Sequence, residues 1–300
     1  MTSTSVTICA SVAALCATAL SASAVNAIPN FAATPSTQWY AYAEVLLPPA
    51  SGPGPVQQDP GHPLVTNEDF RATGKQPTFP MGNPRSPILQ PWAADVLRKV
   101  NAETLAGKTP ITQHTQCRPG GVTQFLVQPY TRPMYIVQGK DEVVMIAESF
   151  AEIRHIYLTE KHRPDRGRSW NGDSIGHYEG DTLVVDTIGF NDKTYIDGFH
   201  TPHTTQLHTI ERFHLVDGGK ELQIDFHVED PGAFTTPWNA MMRYRQYELV
   251  ARTAKERGVQ LAALATPEEG PLSEAACADS PISLQFMPGS SIAQAKTPDF

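Results

Sequence analysis

The chain has 300 residues, with 23 Lys and Arg against 31 Asp and Glu, a net charge of −8, and 40% hydrophobic residues. That hydrophobic content suffices for a packed core, while the acidic balance lacks the electrostatic footprint that nucleic acid or an anionic membrane attracts. No segment beyond the N-terminal stretch approaches the ~18 uninterrupted apolar residues of a membrane span, so a soluble protein without a nucleic-acid partner is expected.

Residues 1–27 carry no charged side chain, are small and apolar from Val6 to Leu20, and end in Val25-Asn26-Ala27, an A-x-A-like cleavage pattern. They read as a secretory signal peptide, although the usual Lys or Arg at its start is missing. The expected location is therefore periplasmic or secreted. Cys9 and Cys16 leave with the leader, and Cys117 and Cys277 remain as a pair. In an oxidising compartment that pair predicts a single disulfide.

Residues 28–91 are predicted to be irregular, since eleven prolines between 48 and 91 remove backbone donors and fix φ. Phe70, Phe79, Met81 and Trp92 suggest that this segment is docked on the rest. Apolar residues at 92, 93, 96, 97 and 100 follow helical spacing behind Pro91, which suits a helix start, and this helix should end near Gly107.

From Gln124 the period changes to two. Strands are predicted at 125–127, 134–137, 142–147, 153–158, 174–178, 182–188, 204–216 and 221–229. Gly139-Lys140-Asp141, Glu179-Gly180-Asp181 and Asp217-Gly218-Gly219-Lys220 supply turn residues. Tight turns join strands antiparallel, so the fold class is mainly β: an antiparallel meander forming a barrel or strongly coiled sheet. One N-terminal helix and one C-terminal helix, roughly Tyr247 to Leu264, complete a single domain over 92–266. The tail 267–300 is predicted to be poorly ordered.

Four of the ten histidines fall within fifteen residues: His200, His203, His208 and His214. Alternation would put His208, Ile210, Arg212 and His214 on one face of a strand. The next strand separates Leu222, Ile224, Phe226 and Val228 from Gln223, Asp225, His227 and Glu229. Matching polar faces would build a wall of His208, Arg212, His214, Asp225, His227 and Glu229, to which Asp186 and His155 add from neighbouring strands.

Three readings fit such a wall. Alternating polar residues are normal on the solvated outer face of a barrel. Imidazoles with carboxylates also suit Zn, Cu, Fe or Mn, with His200, His203, His208 and Glu229 as candidate ligands. Metal-free acid–base chemistry is the third, with His208, His214, His227 and Arg212 acting and Asp186 or Asp225 orienting an imidazole.

Other motifs exclude more than they assign. Gly176-His177-Tyr178-Glu179-Gly180-Asp181 lacks the glycine spacing and lysine of a phosphate loop. Ser174 sits in Asp-Ser-Ile-Gly, not G-x-S-x-G. Covalent haem attachment has no C-x-x-C-H, which leaves non-covalent haem on a histidine open. Trp238, Met241, Met242 and Tyr244, with Trp39, Tyr40, Tyr42, Tyr130 and Tyr135, suit core packing or the lining of an apolar pocket.

The run W-N-G-D-S-I-G-H-Y-E-G-D-T-L-V-V-D-T from Trp170 to Thr187, with Leu207–Phe213 and Val228–Pro231, resembles a large group of exported bacterial proteins. The resemblance covers roughly residues 115–248. One member is tied to oxygenative cleavage of the propenyl side chain of phenylpropenes such as anethole, but no motif transfers catalytic residues. The working expectation is an exported enzyme, oxygenase or lyase, acting on a small apolar or aromatic molecule in a barrel pocket. A lipocalin-like binding protein and a structural envelope protein are the alternatives.

Overall fold

The computed structural model describes residues 28–32, 38–41, 45–65, 67–108, 118–127, 133–147 and 152–246. The leader 1–27, Cys117, Cys277, the C-terminal helix expected at 247–264 and the tail lie outside the described residues. Nine strands close into a barrel in sequence order: β1 (Gln38–Ala41), β2 (Met134–Gln138), β3 (Glu142–Ala147), β4 (Glu152–Tyr157), β5 (Asp173–Glu179), β6 (Thr182–Ile188), β7 (His208–Val216), β8 (Glu221–Glu229) and β9 (Trp238–Gln246). β1 pairs with both β2 and β9 and so shuts the ring.

Period-two sequence makes these strands and sets their faces. On β8 the inner residues Leu222, Ile224, Phe226 and Val228 are buried while Gln223, Asp225, His227 and Glu229 are half-buried outside. β9 repeats the pattern with Trp238, Ala240, Met242 and Tyr244 inside. The turns fall where the turn residues stand. Gly139 N–H closes onto Glu142 C=O at 2.8 Å, and Gly180 takes φ 62° between β5 and β6.

Among the described residues three α-helices accompany the barrel: α1 (Asn67–Thr73), α2 (Pro91–Leu105) and α3 (Val122–Leu126). The predicted N-terminal helix is α2, with Pro91 in its first turn and Ala93, Ala94, Leu97 and Asn101 buried. The strand expected at 125–127 is corrected. Phe125 and Leu126 lie on α3, whose buried side chains join the barrel core, and Tyr244 donates its hydroxyl to Leu126 C=O. Among the described residues no helix is long and apolar enough to cross a membrane.

Two strands were not expected. β1 lies within the stretch read as irregular, and β9 within residues read as core or pocket lining. The Pro-rich segment is docked by backbone hydrogen bonds, Leu47 with Met241 and Thr235 N–H to Ile88 C=O at 2.8 Å. Met81 is buried, but Phe70 and Phe79 are exposed, and Trp92 reaches inward only through its indole N–H to Gly232 C=O.

The all-antiparallel meander also needs one correction. β4 and β5 run parallel, joined by two residue pairs, Ile156 with Ser174 and Tyr157 with Ile175. The connection 158–172 is long enough to return the chain to the other end of β4, which a tight turn is not.

Candidate functional site

The predicted wall forms, and it faces outward. His208 registers with Glu229, Ile210 with His227, Arg212 with Asp225 and His214 with Gln223, while Asp186 on β6 lies opposite Ile210. The expectation that these groups line an enclosed pocket is corrected: β8 turns its apolar face inward, and its partner residues on β7 must follow. Asp186 adds to the wall as expected. His155 does not, and pairs instead with Glu142 on β3 at 2.9 Å.

Within the wall a continuous hydrogen-bonded chain runs from strand to strand. Asp186 Oδ1 is faced by His208 Nε2 and by His162 Nε2, each at 3.0 Å. His162 Nδ1 stands 3.2 Å from Asp173 Oδ2, and His208 Nδ1 stands 3.4 Å from Glu229 Oε2. Glu229 Oε1 is met by His227 Nε2 at 3.0 Å, and His227 Nδ1 by Asn239 Oδ1 at 2.9 Å. His162 belongs to the 158–172 connection, so the chain fastens that connection to the barrel. Alternation cannot reveal a histidine outside a strand, and sequence reasoning missed it.

Arg212 and His214 stand apart from this chain. Arg212 pairs with Glu179 in an exposed position, and His214 lies 3.7 Å from Asp225. His200 and His203 sit in the buried 194–204 loop. His203 bridges Thr194 Oγ1 at 2.5 Å and Thr204 C=O at 3.0 Å. His200 has φ 66° and meets the Tyr195 ring edge-on. Burial lowers both imidazole pKa values. Burial also pushes Asp197 up to about 6, while its Oδ1 accepts the N–H groups of Phe199 and Thr201. These contacts order the loop and leave His200 and His203 away from His208 and Glu229. The four do not make a ligand set, and no three His, Cys, Asp or Glu converge on a cation position among the described residues.

The electrostatics of the wall are cooperative. The hydrogen bond that His208 donates to Asp186 raises the His208 pKa, and the imidazole in turn lowers Asp186. Glu229 is lowered first by His227. A raised histidine stabilises below its ordinary 6.5 and loses that contribution as pH rises through its folded value. A lowered aspartate stabilises above about 3.9 and loses its contribution as pH falls. His208→Gln is thus expected to cost most between about pH 4 and 6.5, and no more than about 1 kcal/mol, because His208 and Asp186 are 28% and 40% exposed. Urea titrations of both proteins at pH 5.5 and 8.5 check this. A gap that widens at the higher pH would reverse the assignment.

The charged group that the sequence hides is inside the barrel. Arg154, 1% exposed, reaches across the interior to both carboxylate oxygens of Glu211, which is 0% exposed. Nη2 also lies 3.1 Å from both Ser174 Oγ and Thr187 Oγ1, Nε donates to Ser174 Oγ at 3.3 Å, and those two hydroxyls bond each other at 2.9 Å. A buried charge needs such saturation. The one sequence signal was Glu211 on the same face as Thr209 and Phe213, a carboxylate on an inner face that demands a cation.

Beside this pair, at the β4–β5 seam, opens a cleft of about 150 Å³ lined by Ile153, Arg154, His155, Tyr157, Arg163, Arg166, Asn171, Gly172, Asp173 and Ser174. Arg163 grips Asp173 through its guanidinium and lies 3.6 Å above the Tyr157 ring centroid. Arg166 lies 5.2 Å from the same centroid and donates to the Tyr157 hydroxyl at 3.3 Å. Asp173 lines the cleft and also begins the outer hydrogen-bonded chain. Its carboxyl sits below the usual range because the backbone and side chain of Arg163 and the His162 ring outweigh its burial.

No protein family and no curated protein matches the chain. Among solved structures the fluorescent protein UnaG aligns at 14% identity over 45% of this chain and 86% of its own, with a TM-score of 0.23.

Proposed function

We propose that the chain is an exported small-molecule-binding barrel whose ligand enters the cleft at the β4–β5 seam. The observation that carries this reading is the cleft itself. There the wall is joined by two residue pairs, against seven between β5 and β6, and polar side chains of the barrel interior line the opening. Concave sites with an apolar wall and a few fixed polar groups are the usual form of ligand sites. Here Ile153 and Tyr157 supply the wall, and Arg154, Ser174 and Asp173 are held by their own hydrogen bonds. The volume lies below the ~300 Å³ at which drug-sized pockets begin, so the ligand is small. The uncharged apolar leader supports export, and the resemblance to an exported group with one member tied to phenylpropene cleavage supports an aromatic body.

Titration of the full chain with anethole and with benzoate, followed by amide chemical shifts, tests the reading. Saturable shifts at residues 153–174 are expected, with at least tenfold weaker binding in Tyr157→Ala, which loses the platform under Arg163 and Arg166. Undiminished binding in that variant, or shifts elsewhere, would count against the cleft.

A catalytic reading has one observation in its favour: Asp173 connects the cleft to His162, Asp186 and His208 without a break. Such a chain can move a proton between cleft and solvent. Consumption of anethole by the wild type and its loss in His162→Gln would support it. Binding without consumption leaves the protein a binding module.

A further inference from the structure

Resting on the cleft as the binding site, we infer that its ligand is a small organic anion, a carboxylate whose charge is met by Arg166 and whose apolar body lies against Ile153. Three guanidinium groups line the opening, and their partners can be followed one by one. Arg154 is taken by Glu211, and Arg163 by Asp173. His155, also in the lining, is paired with Glu142. Arg166 meets only the Tyr157 hydroxyl and ring face, and among the described residues no carboxylate pairs with it. One positive charge therefore stands uncompensated at the mouth of a cleft, on a chain whose net charge is −8.

The geometry favours a monoanion. A guanidinium fork matches the two oxygens of a carboxylate. The Tyr157 hydroxyl, 3.3 Å from Arg166, and the ring, 5.2 Å away, hold the guanidinium at the cleft before any ligand arrives. A single uncompensated guanidinium balances one negative charge, which disfavours inorganic phosphate. Ile153 is 52% exposed although it is a large apolar residue, and it lines the same cleft, so the ligand's hydrocarbon part has a surface to cover.

Isothermal titration of the full chain with benzoate, benzamide and inorganic phosphate, at low and high salt, tests the inference. Benzoate is expected to bind about fivefold more tightly than its neutral isostere benzamide, in line with an exposed charge-assisted pair. That preference should shrink at high salt. Arg166→Gln, an exposed substitution away from the core, should lower benzoate to about the level of benzamide and abolish the salt dependence of the acid–amide difference. Equal binding of acid and amide by the wild type, a preference that survives Arg166→Gln, or phosphate binding more tightly than benzoate would overturn the carboxylate assignment. In the first of these cases the cleft still stands as a ligand site. If none of the three compounds binds, and anethole also fails, the cleft reading falls with it.

Discussion

Replacing Arg154 by methionine is expected to cost about 3–5 kcal/mol, a large part of the ~5–15 kcal/mol that holds a domain together. The loss comes less from the missing attraction than from what stays behind. Glu211, wholly buried, would be left without a counter-ion, and the hydroxyls of Ser174 and Thr187 would lose their shared donor. Glu211→Leu alone should be comparably damaging, since it strands a guanidinium in an apolar core. The double variant Arg154→Met/Glu211→Leu should recover most of the loss, because a buried ion pair contributes little net stability over packed hydrocarbon. Urea unfolding of the four proteins makes the cycle. Single variants within about 1 kcal/mol of wild type, or a double variant as unstable as either single, would show that the pair is not desolvated as the geometry requires.

Trp39→Ala is expected to be about as costly, at roughly 3–5 kcal/mol. Trp39 is 0% exposed and its indole N–H donates to Phe31 C=O at 3.0 Å. It also sits at the middle of the barrel's closure. β1 has four residues and holds β2 by two register pairs and β9 by three. Removing its largest side chain leaves the closing strand little to hold it. Hydrogen exchange in β2 and β9 should therefore accelerate before that in β7 and β8. Trp39→Phe keeps most of the volume and should lose only about 1 kcal/mol with the indole hydrogen bond. An Ala variant that exchanges uniformly across all strands would mean that closure does not depend on this residue.

The parts of the fold that could be read in advance are those where alternation and turn chemistry agree. The β7–β8 hairpin is the best case. Gly218 and Gly219 provide the positive φ of the turn, and the apolar face of β8 is unmistakable. The polar wall followed from the same pattern, and the register of the structure then sets His208 opposite Glu229. Its direction was also legible in principle, because β8 can bury only one face. The mixed composition of β7, with Ile210 outside and Glu211 inside, obscured it. β1 is too short for any period to show. β9 was hidden by its aromatic and methionine content, which suits a pocket as well as a core strand. The cleft was illegible for a different reason: it joins the irregular 158–172 connection to the interior arginine, and no local pattern links residues brought together by a closed sheet.

The parallel joint beside that cleft has a consequence for any attempt to engineer it away. Around a ring of alternating up and down directions, an odd number of members forces one like-directed pair, and this ring has nine. Substitutions along β4 or β5 will shift or loosen the mismatch but never abolish it. Only inserting or deleting a whole strand changes the parity. A redesign that removes β1 and lets β2 meet β9 would leave eight members with the parallel neighbours still in place, and so would need a second like-directed joint between β2 and β9 to close.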